Sequence, residues 1–166
     1  MEIRELLADD AEAFRAVRLR ALREETRAFL SSHDEEAART LEEVVAWLTP
    51  RDGSFVLGGF VDGALVGLVG FVRKRHPKER HNGLVWGMYV DPDQRGIGLG
   101  RALLLASLGR ARALDGLETV HLAVGETNAP ARGLYESLGF EVWGVEPDAF
   151  RVGGESVTEA HMRLEL

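Results

Sequence analysis

In this chain of 166 residues, the side chains and spacings best suited to chemistry centre on one glycine cluster. An apolar, β-branched and aromatic run from Leu84 to Val90 meets the turn dipeptide Asp91-Pro92. The cluster Gly96-Ile97-Gly98-Leu99-Gly100 comes next, and a helix-forming segment begins at Arg101. Strand, glycine-rich turn and helix in that order aim backbone N–H groups at one point. Without Cβ atoms at 96, 98 and 100, the main chain can adopt unusual φ values and admit a bulky anion close to its amides. The first turn of a helix also has four N–H groups without intrahelical partners, and the macrodipole adds about half a positive charge there. A phosphate or pyrophosphate is the natural guest of such a turn.

Three phosphate-cradling patterns compete for these residues. The P-loop needs a Lys followed by Ser or Thr, and the chain has no such pair. The dinucleotide fingerprint Gly-x-Gly-x-x-Gly fails as well, because counting from Gly96 or Gly98 puts Arg101 or Leu103 at the third glycine. The third pattern, Arg/Gln-x-x-Gly-x-Gly/Ala, is met by Arg95-Gly96-Ile97-Gly98-Leu99-Gly100. This block resembles the acetyl-CoA-binding signature of the GCN5-related N-acetyltransferase (GNAT) superfamily. Alone, the block is equally compatible with a close-packed strand-to-helix turn that binds nothing.

A second block supports the first. Asn128-Ala-Pro-Ala131-Arg-Gly-Leu134-Tyr135-Glu-Ser-Leu138-Gly139-Phe140 follows the glycine turn across one expected strand. It is similar to the second conserved block of the same superfamily. The stretches His81 with Trp86-Gly87-Met88-Tyr89-Val90, and Glu146-Pro147-x-Ala149-Phe150, look like a subgroup of it.

Composition narrows the choice. A hydrophobic fraction of 45% and a charged fraction of 28% are those of a globular protein, and no linker divides the chain, so one domain over 1–166 is expected. No apolar run is long enough to span a bilayer, and the charged start MEIRELLADD points to a cytoplasmic protein. With no cysteine, disulfides, thiolate metal sites and a Cys nucleophile are excluded, so acyl transfer must be direct or use another side chain. A net charge of −7 argues against nucleic acid as a partner.

The positioning elements can be read in order. Ile3 to Leu6 reads as a strand. Asp9 and Glu12 have capping-box spacing ahead of a helix to Glu25, with Phe14, Val17, Ala21 and Leu22 at helical period. Thr26 to Arg39 is polar and reads as a solvated loop or helix. Thr40 and Glu43 cap a second helix whose buried stripe is Leu41, Val44, Val45 and Leu48, stopped by Pro50. Ser54 to Val61 and Ala64 to Val72 form a hairpin on Asp62-Gly63. The basic run Arg73 to His81 reads as a solvated edge leading to a turn at Asn82-Gly83, with a rim that attracts the phosphates of an anionic cofactor as the alternative. After the glycine turn come a helix from Ala102 to Leu114 and a strand, Leu117 to Val124, buried on both faces and parallel to Leu84–Val90. The helix after Asn128 follows, then a strand from Phe140 to Trp143, a loop through Glu146 to Gly154, and a last strand from His161. This is α+β layering. The GNAT resemblance implies a mixed, mostly antiparallel sheet of about seven strands with about four helices.

The resemblance also implies roles. Main-chain groups of Met88, Tyr89 and Val90 would pair with the pantetheine arm of acetyl-CoA like an added strand. Arg95, Gly96, Ile97, Gly98, Gly100 and Arg101 would hold the pyrophosphate. Asn128 would hydrogen-bond the cofactor near its arm, and Tyr135 would face the thioester sulfur and protonate the leaving thiolate. The acceptor would be a primary amine of a small molecule or peptide, with no metal and no membrane, and a homodimer left open. The strand before the turn has no carboxylate to serve as base, which leaves Glu126 as the first candidate, with His81 and His121 behind it. Glu146 and Asp148 could line the acceptor pocket. A non-catalytic acyl-CoA-binding module of the same fold is the alternative.

Overall fold

The computed structural model describes residues 1–51 and 53–166. Its seven strands are β1 (Glu2–Glu5), β2 (Ser54–Val61), β3 (Ala64–Arg73), β4 (Asn82–Val90), β5 (Thr119–Gly125), β6 (Glu141–Val152) and β7 (Glu155–Glu165). They form one sheet in the order β1-β2-β3-β4-β5-β7-β6. Among the described residues only β4 and β5 pair in parallel. Five helices flank the sheet: α1 (Ala11–Glu24), α2 (His33–Ala37), α3 (Leu41–Leu48), α4 (Leu99–Arg112) and α5 (Ala129–Glu136).

Two apolar clusters hold the layers together. On one face Leu99, Leu103, Leu104 and Leu108 of α4 pack with Val69, Val85, Val120, Leu122 and Met162. On the other face α1 and α3 bury Phe14, Val17, Ala21, Val44 and Leu48 against Val56, Phe60, Leu68 and Tyr89. Each fully buried Leu or Phe contributes about 1.5–3 kcal/mol relative to exposure.

Several expectations need correction. The second expected turn, Asn82-Gly83, is the start of β4, and Gly83 is required there by packing. A Cβ on it would lie 2.2 Å from the Phe71 ring. The α1 box does not form on Asp9. Instead Asp10 accepts from Leu7 N–H at 2.9 Å and is clasped by Arg4. The Thr40–Glu43 box does form, but Leu41 is exposed, so the buried stripe of α3 is Val44 and Leu48. Within the polar stretch after α1, Ser32 and Glu35 form a reciprocal cap for α2. Arg73 is buried, with Nε donating to the Arg80 carbonyl at 2.6 Å and Nη2 to that of Asp115 at 2.7 Å. The expected C-terminal loop is strand: β6 runs through Glu146 with a bulge before Phe150, and the turn is Gly153-Gly154. Finally, β5 is buried on one face only. Val120, Leu122 and Val124 face the core, while His121 is half-buried and Ala123 exposed on the other side.

Two irregularities shape the centre of the sheet. Parallel pairing of β4 with β5 is confined to Asn82–Leu84 against Thr119–His121, so the two strands part beyond that point. A bulge opposite β3 lies at Gly87, whose φ of +63° suits glycine. The extra residue resets the alternation of β4. Tyr89 then points into the α1/α3 cluster, and Met88 packs on the α4 side.

Candidate active site

The gap between β4 and β5 opens into a cavity of about 770 Å³. Its walls include Met88, Tyr89 and Val90 of β4, the turn residues Arg95, Gly96, Gly98, Gly100 and Arg101, and Asn128, Leu134 and Tyr135. A slot of about 80 Å³ lies between the parting strands, lined by Gly87 and Met88 on one side and by Ala123, Gly125 and Tyr135 on the other.

The floor of the cavity is main chain. Asp91 N–H donates to the Val66 carbonyl at 2.8 Å, so by the alternation of an antiparallel pair Val90 turns its own amide and carbonyl the other way, toward the gap. That carbonyl accepts from Arg95 Nε at 3.0 Å, and Arg95 Nη2 donates to Glu25 at 2.8 Å. The turn itself is held open by two left-handed glycines, Gly96 at φ +84° and Gly98 at φ +85°. An ideal Cβ at either would meet nothing within 4 Å, so their backbone faces open space.

Gly98 is the N-cap of α4, which therefore starts at Leu99 rather than at Ala102. Its first internal hydrogen bond runs from Ala102 N–H to the Gly98 carbonyl at 3.0 Å. The amides of Leu99, Gly100 and Arg101 precede it and have no carbonyl ahead of them in the helix. No acidic residue stands in this turn, so the positive end of the dipole is uncompensated. Those amides and the two glycines fit a pyrophosphate. Arg101 Nη1 donates to Ser137 Oγ at 2.9 Å and ties this turn to the C-terminal end of α5.

Asn128 caps α5, its Oδ1 accepting from Ala131 N–H at 3.3 Å, and Pro130 stands in the first turn. Two turns on, Tyr135 is 6% exposed and meets Phe140 edge-on at 6.0 Å. Burial pushes its phenol up to about 12.

Not every expected side chain reaches the cavity. The Ile97 side chain is exposed outside it. Tyr89 directs its hydroxyl to Glu24 at 2.6 Å, on the opposite face, where burial and that carboxylate hold its pKa far above the usual range. Glu126 is exposed, engages Thr158 only through its amide at 2.9 Å, and is not among the lining residues. His81 is exposed at the start of β4, away from the gap. His121 sits where the strands part, with its pKa lowered by burial and by nearby Lys74 and Arg163.

The loop after α1 adds a wall that pattern reading did not supply. Ala28 and Phe29 line both cavities, and Arg27 spans to the β6–β7 hairpin, reaching Glu155 at 3.1 Å and the Ser156 carbonyl at 3.0 Å. The segment has no periodicity to signal this, because long side chains and not a repeating stripe hold it in place.

Comparison with known proteins agrees with this geometry. The model of the acetyltransferase (GNAT) family matches residues 16–140. A mycothiol acetyltransferase from Thermobispora bispora is 37% identical over 147 residues, covering 82% of this chain and 45% of the relative. One from Thermomonospora curvata is 42% identical over 130 residues, covering 75% and 41%. The chain therefore spans less than half the length of these curated relatives. Among solved structures, an acetyltransferase of the GNAT family from Streptococcus pneumoniae superposes with a TM-score of 0.90 at 25% identity, covering 99% of both chains. The structure of yncA from Salmonella typhimurium with its cofactor acetyl-CoA gives 0.87 at 27% identity, covering 100% of this chain and 94% of the other. The family match takes in the glycine turn, the parted strands and the helix of Tyr135, and the chain belongs to the GNAT acetyltransferase family.

Proposed function

We propose that this domain transfers the acetyl group of acetyl-CoA directly to a primary amine of a small molecule. One observation carries the reading: the main-chain edge of β4 and the unpaired amides at the start of α4 open into a single cavity that ends against Tyr135. A diphosphate on the amides of residues 96–101 places a pantetheine arm along Met88 and Val90, as an added strand in the gap left by β5. Asn128 lies beside that path. The small-molecule acceptor is supported by the relatives named mycothiol acetyltransferase.

In the reaction the amine nitrogen attacks the thioester carbonyl carbon, the C–S bond breaks, and sulfur leaves with the electron pair. The amine loses a proton to a base and the sulfur gains one. A phenol held near 12 stays protonated, so Tyr135 serves as hydrogen-bond donor to the departing sulfur and yields its proton only in concert with C–S cleavage. A stepwise transfer from such a weak acid to a thiolate, whose thiol titrates near 8.5, would run uphill.

The test is release of CoA thiol against a panel of small amines, amino acids, polyamines and peptide N-termini, with acetyl-CoA binding followed by calorimetry. Amine-dependent release supports the reading. Tight binding of acetyl-CoA with no amine-dependent release identifies a non-catalytic acyl-CoA-binding module.

A further inference from the structure

Beyond the cavity, the uncovered face of the sheet holds a cluster that the proposed chemistry has not used. The antiparallel register puts Ala123 of β5 opposite His161 of β7, and Gly125 opposite Glu159. On the far side of β7, Gly144 and Glu146 of β6 pair with the same two residues. Partners in register share a face, so His161, Glu146 and Glu159 stand around a floor of Ala123, Gly125 and Gly144. A Cβ on Gly144 would meet nothing within 4 Å, and one on Gly125 only the Arg27 carbonyl at 3.6 Å. The floor is therefore exposed at Ala123, open above Gly144 and closed over Gly125 by the Arg27 loop.

The three side chains are organised. His161 Nε2 is 2.7 Å from Glu146 Oε2, and one polar atom from each of Glu146, Glu159 and His161 falls within 4.8 Å of the others. Trp143 leans on the His161 ring at 5.6 Å and meets His121 edge-on at 6.3 Å. With Nε2 carrying the proton given to Glu146, Nδ1 remains as an acceptor. Ala123 and Gly125 also line the slot between β4 and β5. His161 is the register partner of Ala123, about 5 Å across the pair, so the imidazole stands one strand beyond the β5 wall of that slot and faces it across Ala123.

We propose that His161 is the general base that takes the proton from the acceptor amine, with Glu146 as its positioning residue and the Ala123–Gly125–Gly144 floor as the seat of the acceptor. This assignment rests on the transfer reaction proposed above. The amine arrives as a cation drawn by Glu146 and Glu159, gives one proton to water as it seats, and gives the second to His161 as its nitrogen attacks the thioester carbon and Tyr135 protonates the departing sulfur. Burial raises the Glu159 pKa, with His161 opposing the shift and Glu146 adding to it. Arg163, the next residue along β7 on the same face, and the titratable His121 on β5 also stand nearby. Arg27 is committed to the hairpin end at Glu155.

The experiment measures CoA release as a function of pH, at saturating acetyl-CoA and with the best amine of the panel, for the wild type, His161→Gln, Glu146→Gln and Glu126→Gln. Loss of a general base predicts a fall in kcat/KM for the amine of about 10²–10⁴-fold in His161→Gln. Calorimetric affinity for acetyl-CoA stays within about twofold, the acidic limb of the wild-type profile disappears, and added imidazole restores part of the rate. Glu146→Gln loses less and displaces the limb. If His161→Gln keeps wild-type turnover and its acidic limb, or if only Glu126→Gln loses activity, the assignment to His161 is overturned and the transfer reaction stands. If the wild type binds acetyl-CoA but acetylates no amine, the reaction itself falls and the base falls with it.

Discussion

Arg95 donates from Nε to the main-chain carbonyl of Val90 at 3.0 Å, so the residue that opens the glycine turn is fastened to the last residue of β4. Its second bond, to Glu25, joins side chains that are 49% and 37% exposed and contributes little to stability. Arg95 therefore acts on the proposed cofactor mainly by holding the turn against the strand. Arg95→Ala is expected to weaken CoA binding about tenfold, the equivalent of one charge-assisted hydrogen bond, with an unchanged circular dichroism spectrum. Glu25→Gln is expected to leave the calorimetric affinity within about twofold.

The turn glycines separate conformation from access. Gly98 sits at φ +85°, so Gly98→Ala is expected to cost about 1–2 kcal/mol of stability as well as binding. Gly100 is helical, and a Cβ there makes contacts of 3.4 Å or longer with Met88, Leu134 and Val90. Gly100→Ala is therefore expected to gain up to about 1 kcal/mol from helix propensity while placing a methyl in the cavity. Thermal melts should move in opposite directions for the two variants, and CoA affinity should fall in both.

Tyr135 makes a statement about pH. Its buried phenol is raised from 10 to about 12, so the folded state holds its proton more tightly than the unfolded chain. A raised pKa contributes stability that is complete below pH 10 and is lost as pH climbs from 10 toward 12, to a total of about 3 kcal/mol. Urea midpoints measured from pH 9 to 12 should fall less steeply in Tyr135→Phe than in the wild type. The same variant is expected to keep CoA affinity while turnover drops by about 10²-fold.

Arg18 of α1 and Glu36 of α2 form a buried ion pair, with Nε and Nη2 donating at 3.0 and 2.8 Å from side chains 8% and 5% exposed. Removing one partner strands the other charge, so Glu36→Ala is expected to destabilise the fold by about 3–5 kcal/mol in chemical denaturation. Arg18 also lies over the Phe29 ring at 4.8 Å. Loss of Glu36 should therefore loosen the loop that walls the cavity, read as weaker acetyl-CoA binding even where the domain remains folded.

The legible parts of this protein were those with local causes. The Asp62-Gly63 hairpin, the Thr40–Glu43 cap and the parallel neighbourhood of β4 and β5 follow from turn chemistry, short-range caps and crossover rules, and all three are present. The cavity residues of the two motif blocks also come together, because a strand, a turn and two helix starts fix their main chain. Long-range causes were not readable. Gly83 resembles a turn residue until Phe71 is known to lie on it, and β6 resembles a loop until β7 is there to pair with Glu146. His161 carries no local signal at all. Its significance comes from standing opposite an exposed Ala123, a fact of register.

The brevity of the parallel seam has a mechanical consequence. Three register pairs, Asn82–Leu84 with Thr119–His121, join the β1–β4 block to the β5–β7–β6 block. Main-chain protons on the seam side of residues 85–90 therefore exchange with deuterium sooner than those of β3, which has a partner strand on each edge. Under denaturant the molecule is expected to begin parting along this line, with the helices across its back as the last ties between the halves.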